Sequence, residues 1–313
     1  MTRLRPLPNS LIVGCWQLDD RSWKALSEAE IARAIDLYQA HGINCFDTAD
    51  IYGRSETLLG RLLKGSDSFV LTKAVFFGEA PSEFQVRRKV ENSLRNLQRD
   101  TLDVLQIHWH DPEVDFAGTF TALADLVDQG KIQRLGVTNF TTAMLEKALQ
   151  YAPISTHQVQ YSLIDRRVEA AMQALCVAND VALLPYGPLA GGFLSDQFRG
   201  TQAPKMEGDH GRSFYYSRMI RLHGGWLPVL RMLDTLAEVG QKHGKTISQV
   251  ALNWVKQQSG VQAVISGLTL KRSQIQSNVE ALQWTLDPED IEILSARSQS
   301  LFEQPGDIYS YER

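Results

Sequence analysis

Cysteine is scarce in this chain. Cys15, Cys45 and Cys176 are the only three among 313 residues, and they lie far apart with no metal-type pairing. So sparse and odd a set excludes a disulfide scaffold and fits a reducing compartment, so the expected location is the cytoplasm. An excess of charge of one sign is missing as well. With 32 basic and 36 acidic residues the net charge is -4, which gives no electrostatic reason to expect nucleic acid or an anionic membrane as partner. No apolar run approaches the ~18 residues of a membrane span. Arg3 and Arg5 ahead of Leu11-Ile12-Val13-Gly14-Cys15 faintly resemble a lipoprotein leader, but the run is too short and Pro6, Pro8 and Asn9 interrupt it. Also absent is a G-x-G-x-x-G turn after a strand, which removes the Rossmann route to a dinucleotide. Linkers and low-complexity segments are lacking too, so residues 1–313 read as one domain.

What is present is alternation. Short β-branched runs at 11–14, 44–47, 70–73, 104–108, 133–137, 155–160, 182–186 and 263–266 are separated by amphipathic stretches at 28–41, 55–63, 82–98, 116–129, 141–151 and 168–179. Ser27 with Glu30 is spaced as a capping box, Thr141 as an N-cap, and Gly42 and Gly130 as C-terminal glycines. Eight strands joined by βα crossovers predict an α/β fold of the closed (β/α)8 TIM-barrel kind. The seventh connection is long. Residues 195–225, rich in Gly, Arg and Tyr, show little periodicity and read as a lid or binding loop. Helices over 227–243 and 248–258 follow, one over 274–282 comes after the eighth strand, and an extra C-terminal helix is expected over 290–298.

Three successive strand ends carry chemistry. Phe46-Asp47-Thr48-Ala49-Asp50-Ile51-Tyr52-Gly53 sets an acid and a tyrosine five residues apart, Lys73 ends the next strand, and His108 the one after. An unperturbed phenol has a pKa of about 10, so Tyr52 as a proton donor needs a neighbouring cation, which Lys73 can supply. Read singly, Tyr52 is a loop aromatic, Lys73 a solvated strand end and His108 a core histidine; their joint placement favours function. The segments FDTADIYG, LTKA and DVLQIHWH resemble the three catalytic segments of the aldo-keto reductase family, in its bacterial, plant and potassium-channel β-subunit branches. The resemblance implies a tetrad of Asp47, Tyr52, Lys73 and His108 that reduces an aldehyde or ketone, with Trp16 and Trp109 walling an apolar carbonyl pocket.

It also implies NADP(H) as cofactor. Thr138, Asn139 and Gln158 match positions that hold the nicotinamide amide, together with Asp47; Tyr186 matches the tyrosine under the ring, with Gly187 and Leu189 beside it. Ser266, Gly267, Leu268, Lys271, Arg272, Gln274 and Asn278 fall in the phosphate-side segment, where two cations at a helix start favour a 2′-phosphate. The segment departs from the family in being one residue longer, with Ser277 where an acidic residue is common and Gln274 where many members carry arginine. Two rivals stand beside this reading. One is a metal-dependent barrel hydrolase using His108-Trp109-His110-Asp111, although Val137, Gln160, Tyr186 and Ser266 at later strand ends are poor ligands. The other is an NADPH-binding, redox-sensing partner subunit.

Overall fold

A computed structural model describes residues 7–108, 113–169, 171–204, 210–301 and 304–308, the side chains of 210–214 excepted. Eight parallel strands pair in sequence order and close on themselves. They are β1 Leu11–Gly14, β2 Cys45–Asp47, β3 Phe69–Ala74, β4 Val104–Ile107, β5 Leu135–Thr138, β6 Ile154–Gln160, β7 Ala182–Tyr186 and β8 Val264–Gly267. Closure is made by β1 and β8, with Leu11 opposite Val264 and Gly14 opposite Gly267. The expected (β/α)8 barrel is the observed one, each strand lying within two residues of its predicted bounds. Most strand residues are buried on both faces, as apolar parallel strands under a helical layer must be.

Six helices occupy the first six crossovers: α1 Glu28–Ala40, α2 Ser55–Leu62, α3 Glu83–Leu97, α4 Ala117–Asp128, α5 Thr142–Leu149 and α6 Ala171–Ala178. The capping box of α1 forms as the spacing predicts, Ser27 accepting from the Glu30 N–H while the Glu30 carboxylate takes the Ser27 N–H. Thr141 caps α5 by accepting from the Met144 N–H. Ser82 with Gln85 and Thr246 with Gln249 make two further boxes.

Between β7 and β8 the chain departs from expectation. Residues 195–225 are not an irregular loop throughout: α7 spans His210–Leu222, followed by α8 Trp226–His243 and α9 Ile247–Lys256. The helical signal lies in Tyr216, Met219, Ile220 and His223, all buried at a spacing of i, i+3, i+4 and i+7. Glycine and arginine around them dilute that stripe over a wider window. α10 Arg272–Glu280 and α11 Pro288–Gln299 complete the α-helices of the described residues, and no described helix is long and apolar enough to cross a membrane.

The period of two along each strand places the site. Ile12, Cys45, Phe69, Leu71, Val104, Leu184, Ala263 and Ile265 form an apolar cluster distinct from the larger core under the helices. Asp47 shares the face of Cys45, Lys73 that of Leu71 and His108 that of Val104, so the inward rows end in polar groups at the C-terminal mouth.

α2 and α3 approach closely at Gly60, where an added Cβ would lie 2.8 Å from Leu97 Cα and closer still to the Asn96 carbonyl oxygen. In an open helix Gly→Ala gains about 1 kcal/mol. Backbone cannot yield as a side-chain tip can, so overpacking at about 1–3 kcal/mol dominates here. Gly60→Ala is therefore expected to lower the urea midpoint; a raised midpoint would show that the two helices separate freely.

Candidate active site

The four residues picked from three strand ends come together. Lys73 is fully buried, which removes its reading as a solvated strand end. Its Nζ donates to Asp47 Oδ2 at 2.6 Å and to the Thr48 carbonyl oxygen at 2.8 Å. The ammonium lies 5.0 Å from the centre of the Tyr52 ring. That ring meets His108 edge-on, with centres 5.6 Å apart. Asp47 does not face Lys73 alone: its Oδ1 accepts from Gln158 Nε2 at 2.9 Å. A bond between residues 111 apart in sequence thus ties β2 to β6 across the barrel.

Burial dominates the electrostatics. It pushes the Tyr52 phenol well above its ordinary range, and the charge of Asp47 adds to the push. This differs from the expectation that Lys73 would ease the phenol towards phenolate, because the ammonium gives its bonds to Asp47 and Thr48. The phenol is protonated at neutral pH. Burial likewise holds the His108 imidazole well below its ordinary range, with Lys73 the next cause, so the ring is neutral.

Asp47, Tyr52 and His108 line a cavity of about 330 Å3 at the mouth. Of the remaining residues picked from the sequence, Trp16, Thr138, Asn139, Gln158, Tyr186, Gly187 and Gly267 line it too. Trp109 lies outside the described residues, as do His110 and Asp111 of the metal rival. Thr138 Oγ1 is buried and makes no hydrogen bond among the described residues, which suits it to a polar ligand group. Tyr186 donates to Asn139 Oδ1 at 2.9 Å, and Asn139 holds its place with φ at 54°, a conformation asparagine tolerates better than most.

Gly267 apart, the phosphate-side residues do not line this cavity. Lys271 and Arg272 are exposed at the N-terminal end of α10, where backbone N–H groups and helix dipole favour an anion. Asn278 donates to Ser266 Oγ at 3.1 Å, Gln274 Oε1 accepts from Thr269 Oγ1 at 2.6 Å, and Leu268 is buried. Leu189, half-buried, begins the turn after β7.

Some lining residues escaped the sequence reading. Gln17, Asp19, Arg21 and Ser22 after β1 form part of the wall. Arg21 donates to both Asp19 carboxylate oxygens, at 2.7 and 3.1 Å, and to the Ile51 carbonyl oxygen, joining the loops after β1 and β2. Nothing periodic marks this stretch in the sequence. Of the loop aromatics Trp23, Tyr215, Tyr216 and Trp226 that the sequence offers as candidates to approach the pocket, Tyr215 and Tyr216 line the cavity, Trp23 packs edge-on against Trp16, and Trp226 packs on Phe193 and Phe198 elsewhere.

The aldo/keto reductase family profile matches residues 10–298. The chain belongs to that family. It is 30% identical over 294 residues to aldo-keto reductase YhdN of Bacillus subtilis, covering 89% of this chain and 86% of that one. A protein of Escherichia coli named NADH-specific methylglyoxal reductase is 28% identical, over 85% of this chain and 87% of its own. Among solved structures, the glycerol dehydrogenase of Gluconobacter oxydans superposes with a TM-score of 0.81 at 26% identity, covering 98% and 97%. As an aldo/keto reductase the protein is an oxidoreductase.

Two buried histidines make the fold of this aldo/keto reductase sensitive to acid. His157, whose Nε2 accepts the Phe140 N–H at 3.2 Å, is pushed by burial from 6.5 to about 3, and His108 is depressed as well. The unfolded chain takes up these protons first. Stability is therefore whole above pH ~6.5 and falls as pH drops below it, by up to about 1.4 kcal/mol per unit for each ring, the His157 share being lost by about pH 3. Urea unfolding at stepped pH should show this slope, and His157→Gln should flatten it. An unchanged slope in that variant would mean His157 is not buried neutral.

Proposed function

We propose that this chain reduces an aldehyde or ketone to the alcohol with NADPH, reversibly, as one (β/α)8 domain over residues 1–313 acting in the cytoplasm on a small-molecule carbonyl. The observation that carries the reading is Lys73, fully buried and bonded to Asp47, with its ammonium 5.0 Å from the Tyr52 ring. Desolvating two charges costs several kcal/mol per ion, so such a pair is poor stabilisation and a good sign of a working site.

Tyr52 is the general acid. Its phenol, kept protonated by burial and by Asp47, gives its proton to the carbonyl oxygen. The Lys73 ammonium then stabilises the phenolate left behind, the moment at which a preoriented cation counts most. Asp47 holds Lys73 charged and aimed, and His108, neutral, hydrogen-bonds and orients the carbonyl oxygen. A bound reduced nicotinamide supplies the hydride, which no side chain can. Thr138, Asn139 and Gln158 would hold its amide and Tyr186 its ring, and the buried Thr138 hydroxyl supports that fit. Gly187, Leu189, Ser266, Gly267, Leu268, Gln274 and Asn278 would shape the rest of the cradle, with Trp16 and Trp109 walling the carbonyl.

Cofactor choice rests on Lys271 and Arg272. The Escherichia coli relative is named NADH-specific, so membership of the family alone does not decide it. Two exposed cations at the start of α10 suit a 2′-phosphate. The methylglyoxal of that relative's name supports small aldehydes as substrates. An intact set of four argues for turnover over a purely redox-sensing partner role, and single-turnover oxidation of bound NADPH by an aldehyde separates the two.

Tyr52→Phe should lose about 10²–10⁴ in the rate of chemistry while NADPH affinity holds. A variant retaining more than about a tenth of kcat under chemistry-limited conditions removes Tyr52 from the mechanism.

Arg272→Ala should weaken NADPH by roughly ten- to a hundredfold and NADH far less, a charge-assisted contact being worth about 1.5–3 kcal/mol. Fluorescence titration with both cofactors reads this; equal weakening would mean that Arg272 does not contact the phosphate.

A further inference from the structure

α7 brings two aromatic side chains into the mouth that the proposed chemistry leaves without a task. Tyr215 and Tyr216 line the same cavity as Trp16, Tyr52 and His108, and both are pinned. The Tyr216 ring lies on the turn after β7. An added Cβ would come within 2.7 Å of its Cγ at Gly191 and 2.9 Å of its Cε1 at Gly187, and both glycines have positive φ. The ring therefore packs where only glycine leaves room.

Tyr215 is held differently. Its hydroxyl lies 2.6 Å from that of Tyr186. Tyr186 gives its one phenolic proton to Asn139, so Tyr215 is the donor in this second bond. Its ring also meets Trp16 edge-on at 6.4 Å, Tyr186 at 6.1 Å and Tyr216 at 5.2 Å. A side chain fixed by a hydroxyl bond and three ring contacts is a rigid wall. A rigid wall discriminates by size, because a larger guest must break those contacts to enter.

We propose that Tyr215 is a specificity-determining residue that sets the upper size of the carbonyl compound admitted to the cavity. This rests on reading that cavity as the carbonyl site. The hydroxyl is what makes the wall firm. Phenylalanine would keep the volume but lose the bond to Tyr186, and alanine would remove the wall altogether.

The test is the ratio of kcat/KM for naphthaldehyde to that for propanal at saturating NADPH, in the wild type, Tyr215→Phe and Tyr215→Ala. One methylene in an apolar pocket is worth about 10–200-fold, so removing the ring should raise the ratio at least about tenfold, through a lower KM for naphthaldehyde. Tyr215→Phe should move it in the same direction and by less. Should Tyr215→Ala fail to fold by circular dichroism, Tyr215→Leu carries the same expectation. A ratio within about twofold of wild type in the folded truncated variant overturns the proposal. If the wild type turns over neither aldehyde, the reading of the site as a reductase fails. The wall is then judged by equilibrium binding of both aldehydes through tryptophan quenching. There, naphthaldehyde must bind at least about tenfold tighter to the truncated variant, and equal Kd values overturn the proposal.

Discussion

Asp47 and Lys73 place two full charges inside the barrel wall, and the arrangement of the site follows from keeping both satisfied. β2 and β3 are neighbours, with Asp47 opposite Leu71. Lys73, two residues on, therefore shares the inward face and reaches back. The Lys73 ammonium spends its bonds on Asp47 and the Thr48 carbonyl oxygen, and the second oxygen of Asp47 takes Gln158 from β6. A buried ion pair left half-satisfied would cost several kcal/mol. The polar residues at the strand ends are thus bound into one network before any ligand enters, and that network fixes where Tyr52 and His108 can act.

The same burial divides the roles of the two titratable groups. Exclusion of water raises the phenol and lowers the imidazole, so at neutral pH Tyr52 carries its proton and His108 no charge. An acid that is loaded and a neutral hydrogen-bonding partner are what carbonyl reduction asks for in the ground state. In the proposed mechanism Lys73 matters later, when negative charge arrives on the phenolic oxygen. Its value lies in being already in place, because a cation that had to be recruited then would bring its reorganisation cost with it.

The barrel and the core of the site were legible in the sequence for a physical reason. Strands buried on both faces read as short apolar runs, and a polar or charged residue ending such a run is conspicuous: Asp47, Lys73 and His108 each close one. Gly42 and Gly130 were legible as C-terminal glycines because their backbone conformation, at φ 76° and 73°, favours glycine over other residues. α7 was not legible. Its buried stripe of Tyr216, Met219, Ile220 and His223 is short, and the glycines and arginines around it obscure the period. Nor were Asp19 and Arg21, since a pair two residues apart in an irregular loop has no spacing that distinguishes it from an exposed turn. Residues 109–112, Trp109 among them, lie outside the described residues.

Groups proposed to do the chemistry and groups that wall the rest of the cavity therefore have different origins in this fold. The former sit at strand ends, or for Tyr52 in the turn just past one, and the strand ends are fixed by the closure of the sheet, so few sequence changes elsewhere can displace them. The latter come from the β1 loop and from α7, held by Arg21 bridging Asp19 to Ile51, and by Tyr216 resting on Gly187 and Gly191. These attachments lie at the mouth, away from the Asp47–Lys73 pair. A side chain larger than hydrogen at Gly191 would meet the Tyr216 ring, which lines the cavity, without touching Asp47 or Lys73. Substrate range can thus change while the reaction is kept, and for that reason the family's motifs specify the chemistry far more firmly than the carbonyl compound it acts on.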